Sequence, residues 1–269
     1  MKLEKILLLL ALSLNLAFCA SSQSKMAREN EKSAQYQYEK AIVAMKYGLV
    51  EQSIKYLNQA LSLDPNHYQS YNLLGLAYFK KQNFGEAASA YQRFLELQPE
   101  VSEVHNRLGF VYQEMGFLDK AEEGYKKAYS IDSNYDASFN LAKLYFEQNK
   151  LELALDYVQN SILKNTRSSR AYNLQGVILS KIARYPEAIK SFQSALGIVP
   201  NDIITNVNLG IAYINNKEFN KARLLLDKIL PLVQDQTLKD KVNEYLNLIK
   251  ERLLNLDNLK KKSEKHRKL

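Results

Sequence analysis

The chain has 269 residues, 46% of them hydrophobic and 25% charged, a mixture that supports one or two folded domains and excludes wholesale disorder. A single cysteine excludes an internal disulfide, and with three scattered histidines it also excludes a Cys/His zinc framework. The formal charge of +8 collects at the ends, chiefly on Lys260, Lys261, Lys262, Lys265, Arg267 and Lys268, so the body is near neutral and nucleic acid is not the expected partner.

In chain order, Lys2 and Lys5 precede an apolar run over residues 6–18 that is interrupted only by Ser13 and Asn15. A basic start followed by a run this short predicts a secretory signal over 1–18; a membrane-spanning helix needs about 20 apolar residues. The run ends at the chain's one cysteine, in the order Leu16, Ala17, Phe18, Cys19. This resembles the bacterial lipobox, with Phe18 standing where that motif has Gly, Ala or Ser. The resemblance implies a lipid-anchored mature N-terminus at Cys19. A cut by the general signal peptidase, with Ala17 and either Cys19 or Ala20 at the site, is the alternative. Residues 19–33 are otherwise polar and without periodicity, as expected of a tether between membrane and folded body. Ala20 follows the cysteine where lipoproteins kept in the inner membrane often carry Asp, which leans toward the outer membrane, facing the periplasm.

From residue 34 the chain repeats itself. Gly75, Gly109, Ala142, Gly176 and Gly210 are spaced 34, 33, 34 and 34 apart, and Ala41 lies 34 before the first. Twelve residues after each stands a second small residue: Ser53, Ala87, Ala121, Ala154, Ala188 and Ala222. Two antiparallel helices approach closely only where neither is bulky, so these positions predict a crossing in each copy. Large residues recur beside them, among them Tyr78, Tyr112 and Tyr145 after the first small residue and Tyr91, Tyr125 and Phe192 after the second. Pro65, Pro99 and Pro200 end second helices at one repeat position. Gly48, Gly116 and Asn149 share the turn within a copy, where a left-handed residue is wanted. Pro186 falls in the first turn of a second helix, where its missing N–H costs nothing.

The pattern resembles the tetratricopeptide repeat, in which a Gly or Ala and a Tyr in one helix pair with Ala, an aromatic and Ala in the next, followed by Pro. The resemblance implies an all-α, right-handed solenoid of six tandem helix pairs over 34–235. Copies four and six depart from it, with Ser161 and Ile229 in place of the late Ala. Leu238, Val242, Tyr245, Leu246, Ile249, Leu253 and Leu256 then keep helical spacing, which predicts a capping helix over 236–259 with one polar face. The lysine-rich residues 260–269 are expected to be a disordered tail.

No catalytic constellation is visible. His67 and His105 lie in different copies and His266 in the tail, and there is no phosphate loop or nucleophile motif. His105 occupies a slot that Tyr71 and Tyr172 fill elsewhere, which predicts a packed ring. Neither enzyme activity, cofactor, metal nor small-molecule substrate is expected.

Repeats of this kind line a groove with their first helices. Counting from the first small residue places Asn72, Asn106, Phe139 and Asn173 three before it, with Tyr38 and Val207 at the two ends. Leu76, Phe110, Lys143 and Val177 stand one after it, again flanked by Ile42 and Ile211, and Phe79 and Phe146 add aromatic area. The asparagine column can pair with the backbone of a bound segment, or equally with neighbouring helices. The carboxylate clamp known in some members of the family is missing from the first three copies, since only Arg107 matches it. An exported, lipid-anchored chain of such repeats resembles the lipoproteins that help type IV pilus secretins assemble in the outer membrane. Docking of cell-wall enzymes is an alternative, and a third is a tether acting through the basic tail on anionic lipid or nucleic acid.

Overall fold

The structure is a computed structural model that describes residues 33–267, with side chains to residue 259. The expected signal, Cys19 and nearly all of the tether lie outside the described residues, as do the side chains of the basic tail.

Among the described residues there are thirteen α-helices and no strand. They form two compact units, divided between residues 131 and 132. The first holds three helix pairs: α1 (Ala34–Lys46) with α2 (Val50–Leu63), α3 (Tyr68–Lys80) with α4 (Phe84–Leu97), and α5 (Ser102–Glu114) with α6 (Leu118–Asp132). The second holds α7 (Tyr135–Glu147) with α8 (Leu151–Lys164), α9 (Ser169–Lys181) with α10 (Tyr185–Ile198), and α11 (Ile203–Asn215) with α12 (Phe219–Ile229). A single 3-10 turn, Leu230–Leu232, leads to α13 (Gln236–Arg267). The all-α repeat fold and its six pairs are those the spacing implies.

Both registers of small residues are buried at the helix crossings, where a Cβ on Gly109 would also stand 3.0 Å from the Ala121 carbonyl oxygen, and the first register has a second role beyond the close approach expected. A Cβ on Gly75 would stand 2.6 Å from the Tyr91 ring; on Gly109, 2.8 Å from Tyr125; on Gly176, 2.6 Å from Phe192; on Gly210, 2.6 Å from Leu226. The glycine is therefore the seat of the large residue sixteen positions on. Apart from Gly210, whose partner Leu226 is no ring, the pairs also trade volume. Where the seat is alanine, as at Ala41 and Ala142, the side chain sixteen on is Leu57 or Val158 rather than a ring, and all four are fully buried. The second small residue lets the backbones approach, and in the first copy Ser53 Oγ uses the gap to donate to the Ala41 carbonyl at 2.9 Å.

The turn within each pair needs one left-handed residue. Gly48, Gly116 and Asn149 have φ of +74°, +78° and +59°, as their types suggest. The other three copies place Gln82, Ala183 and Lys217 there, at φ of +60°, +60° and +61°. A side chain in this conformation costs about 1–2 kcal/mol that glycine avoids, partly offset by glycine's greater freedom when unfolded. Ala183→Gly should therefore raise stability by roughly 0.5–1 kcal/mol and Gly48→Ala should lower it by a similar amount. Urea titrations of the two variants check the opposite signs.

Helix ends follow local chemistry. α2, α4 and α10 end at C-caps that directly precede a proline, Asp64, Gln98 and Val199. Asn134, Ser168 and Asp202 cap α7, α9 and α11 by accepting from the backbone N–H three residues on. Between the third and fourth copies the repeat is one residue short and lacks proline; a left-handed Ser133, φ +49°, makes the turn instead.

α13 buries Val242 and Ile249 fully and packs against α12, so it caps the second unit. Its length corrects one expectation: the helix does not end at residue 259 but continues to Arg267. No Gly or Pro interrupts residues 236–267. Lysine is a good helix former, and cations at a helix C-terminus complement its dipole.

Candidate functional site

Each first helix has one face in the core and another beside it that carries the columns named above. In the first unit, Asn72 on α3 and Leu76, Phe79, Asn106 and Phe110 on α3 and α5 are all half-buried. Phe79 packs against Phe110, ring centroids 5.5 Å apart, and against Phe84 at 5.6 Å. Asn72 is engaged by its neighbour: Arg107 Nη1 donates to its Oδ1 at 3.0 Å, and the same guanidinium forms an ion pair with Glu103. Burial raises the pKa of the Tyr91 phenol beside it, with the Arg107 charge pulling the other way. Arg107, the one residue that matched the clamp, is thus committed within its own unit.

In the second unit the structure brings five of the expected residues into one pocket of about 500 Å³: Phe139, Lys143 and Phe146 on α7, and Asn173 and Val177 on α9. Arg170, Leu174, Ile204 and Asn208 also line it, together with Ser169 and the acidic Glu147 and Asp202. Asn208 Nδ2 donates to Asn173 Oδ1 at 3.2 Å, so this asparagine also pairs with the following helix. The Arg170 guanidinium lies 5.5 Å from the Phe139 ring centroid, and Lys181 Nζ 5.1 Å from that of Phe146. Lys143 is exposed and approaches Glu147 at 3.7 Å.

The two ends of the columns differ, and only Val207 departs from the count. Val207 is buried in the core of the second unit, because three residues before Gly210 the sixth copy turns an apolar side chain inward. Ile42 is 43% exposed. Arg170, Ile204 and Asn208 did not stand out in the sequence; the signal was a lone cation six residues before Gly176, where other copies carry Gln69, Glu103 or Asp136.

His67 and His105 are structural in their contacts. His105 Nε2 is 2.7 Å from the Pro99 carbonyl, the bond that Tyr71 makes to Pro65 and Asn206 to Pro200. His67 packs on Tyr38, centroids 5.3 Å apart, and reaches Ser70 Oγ at 2.9 Å. Among the described residues no group of His, Cys, Asp and Glu is arranged to hold a metal, and no helix is long and apolar enough to cross a membrane.

Two family models, both described as Tetratricopeptide repeat, match the chain, one over residues 38–102, 106–169 and 139–203 and the other over 183–241. A TPR repeat-containing protein of Methanocaldococcus jannaschii, MJ1428, is 24% identical over 241 residues, which is 85% of this chain and 42% of that protein. The chain spans less than half the length of the curated relatives it matches. Among solved structures, that of Pseudomonas aeruginosa pilF shares the fold at a TM-score of 0.69 and 14% identity, covering 80% of this chain and 99% of that one. YrrB, described as a TPR protein with an unusual peptide-binding site, aligns at a TM-score of 0.60 and 21% identity over 70% of this chain and 97% of its own. With family models reaching from residue 38 to residue 241 over helix pairs of the matching geometry, the chain belongs to the tetratricopeptide repeat family, an all-α fold of protein-interaction scaffolds.

Proposed function

We propose that this protein is a non-catalytic scaffold of the bacterial cell envelope that holds segments of other proteins on its first-helix faces and serves the assembly of an outer-membrane complex such as a type IV pilus secretin. The observation that carries the binding part is the pocket of about 500 Å³ in which Phe139, Lys143, Phe146, Asn173 and Val177 converge, an apolar floor with polar groups at its rim. The envelope part is supported by the basic, apolar and Cys19-terminated order of the first nineteen residues. A peptide-binding site in the structurally similar YrrB is in keeping with the binding part.

Two variants test the halves separately. Cys19→Ala should move the protein from the membrane to the soluble fraction and abolish an acyl mass shift on the wild type; identical fractionation with no such shift removes the lipid anchor. Asn106→Ala with Phe110→Ala should leave export and folding intact, yet lose partners in pull-downs and impair the outer-membrane complex, since truncating a buried anchor commonly costs about 2 kcal/mol of affinity or more. A folded double variant that keeps every partner rejects that face.

A further inference from the structure

The packing of α13 stops before the helix does. Val242 and Ile249 are fully buried in the second unit, yet from residue 250 to residue 259 every side chain is exposed except the half-buried Leu253. The helix runs on to Arg267, so residues 250–267 extend it by roughly 27 Å past its last buried side chain. The apolar stripe continues along this extension. Leu253, Leu256 and Leu259 follow Ile249 at spacings of four, three and three, which keeps them on one side of the helix, and Leu254 flanks them. Leu254, Leu256 and Leu259 are 61%, 42% and 62% exposed. A helix in water turns polar residues outward, so leucines in this row mark a contact that the described residues do not supply. Directly after them the sequence places Lys260, Lys261, Lys262, Lys265 and Arg267 in the final turns, against Glu264 alone.

We propose that the C-terminal part of α13 is an interfacial helix that docks on an anionic phospholipid bilayer, with Leu253, Leu256 and Leu259 entering the acyl boundary and the lysines meeting headgroup phosphates. The helix is not long and apolar enough to cross a membrane, so it lies on the surface. Charge and apolar area together select this occupant. A nucleic acid would satisfy the cations and leave the leucines in water. A second copy pairing in parallel along the same stripe would set two lysine runs side by side, a like-charge contact that interfaces avoid. A bilayer surface offers both halves of the match: phosphates within reach of the long lysine stems, and hydrocarbon just below them. Each half is weak alone, because three leucines bury little area and salt screens exposed cations, but on one helix the two act at the same time. The contact depends neither on the first-helix faces nor on an acyl chain at Cys19, and it gives the second unit its own hold on the membrane.

The test is co-sedimentation with vesicles of residues 20–269, which keep every described residue and lack both the apolar run and Cys19. Vesicles of phosphatidylcholine with about one third phosphatidylglycerol should bind at least about tenfold more protein than phosphatidylcholine alone, and the difference should shrink as salt rises from about 0.05 to about 0.3 M. Leu256→Gln with Leu259→Gln should weaken binding to the anionic vesicles by about tenfold, through lost apolar area. Lys260→Gln, Lys261→Gln and Lys262→Gln together should weaken it by about tenfold or more and leave the remainder less sensitive to salt. Glutamine keeps the helix, both leucines are exposed, and circular dichroism confirms that each variant folds. No preference for anionic vesicles, or a preference that the leucine variant keeps in full, overturns the proposal. In the first case, a dimer that the leucine variant dissociates assigns the stripe to a second copy. In the second, a duplex DNA probe bound equally by wild type and leucine variant assigns the lysines to polyanions at large.

Discussion

Gly176→Ala is expected to destabilise the second unit by about 1–3 kcal/mol, the usual cost of forcing a methyl group into a filled core. The cause is local: the new Cβ would stand 2.6 Å from the Phe192 ring, which is 1% exposed and has no room to withdraw. Phe192→Val alone should also destabilise, by leaving a cavity under Gly176. The two together copy the Ala142 and Val158 pair that the fourth repeat already uses, both fully buried. The double variant should therefore be more stable than the sum of the singles predicts, with a coupling of about 1 kcal/mol or more. Thermal or denaturant unfolding of the four proteins measures it. Strict additivity would show that the glycine is not the seat of the ring.

Removing the contacts of α13 should have a larger effect. Ile249 is fully buried, and Ile249→Ala should cost about 2–5 kcal/mol. Because repeats depend on their neighbours rather than on a common core, the loss should be confined at first to the end of the second unit. Amide hydrogen exchange should quicken in α12 and α13, while α7 and α8 exchange as in the wild type. Uniform acceleration across all of these helices would mean that the unit unfolds as one, and that α13 is more than a cap.

The helix pairs were legible because a period of 34 repeats the same packing problem, so each copy carries its own small and large positions and three of the six carry the proline as well. The left-handed turns were legible only where the side chain announces them. Gly48, Gly116 and Asn149 do so, whereas Gln82, Ala183 and Lys217 accept φ near +60° because the helices on either side leave the turn no other path. The end of α13 is hidden in the sequence for a different reason. A run of lysines suits solvated coil, but the same residues continue a helix readily once one has started.

The candidate surface was partly legible. Counting from the small residue placed Phe139, Lys143, Phe146, Asn173 and Val177 together, and they share one pocket. What counting cannot supply is how polar atoms are shared between copies. Asn72 and Asn173 occupy equivalent positions, yet one accepts from an arginine that is itself paired with Glu103 and the other from Asn208. That difference rests on the residue thirty-five positions further on, which is Arg107 in one case and Asn208 in the other, and on how far each reaches.

The six turns bear on how the chain acquires its fold. Ser53 finds its acceptor twelve residues back, at Ala41, and Arg107 finds Asn72 thirty-five residues back. Bonds over such spans close short loops, whose entropic cost is small, and proteins built from near neighbours in sequence are the fast folders. A left-handed residue at every turn reverses the chain without help from a distant segment. As the chain emerges from a ribosome or a pore, each helix pair can close when its own stretch is free, before the next has been delivered. Apolar seats such as Gly75 and Gly176 are then filled by their rings soon after they appear, which shortens the time in which a half-made chain offers them to others.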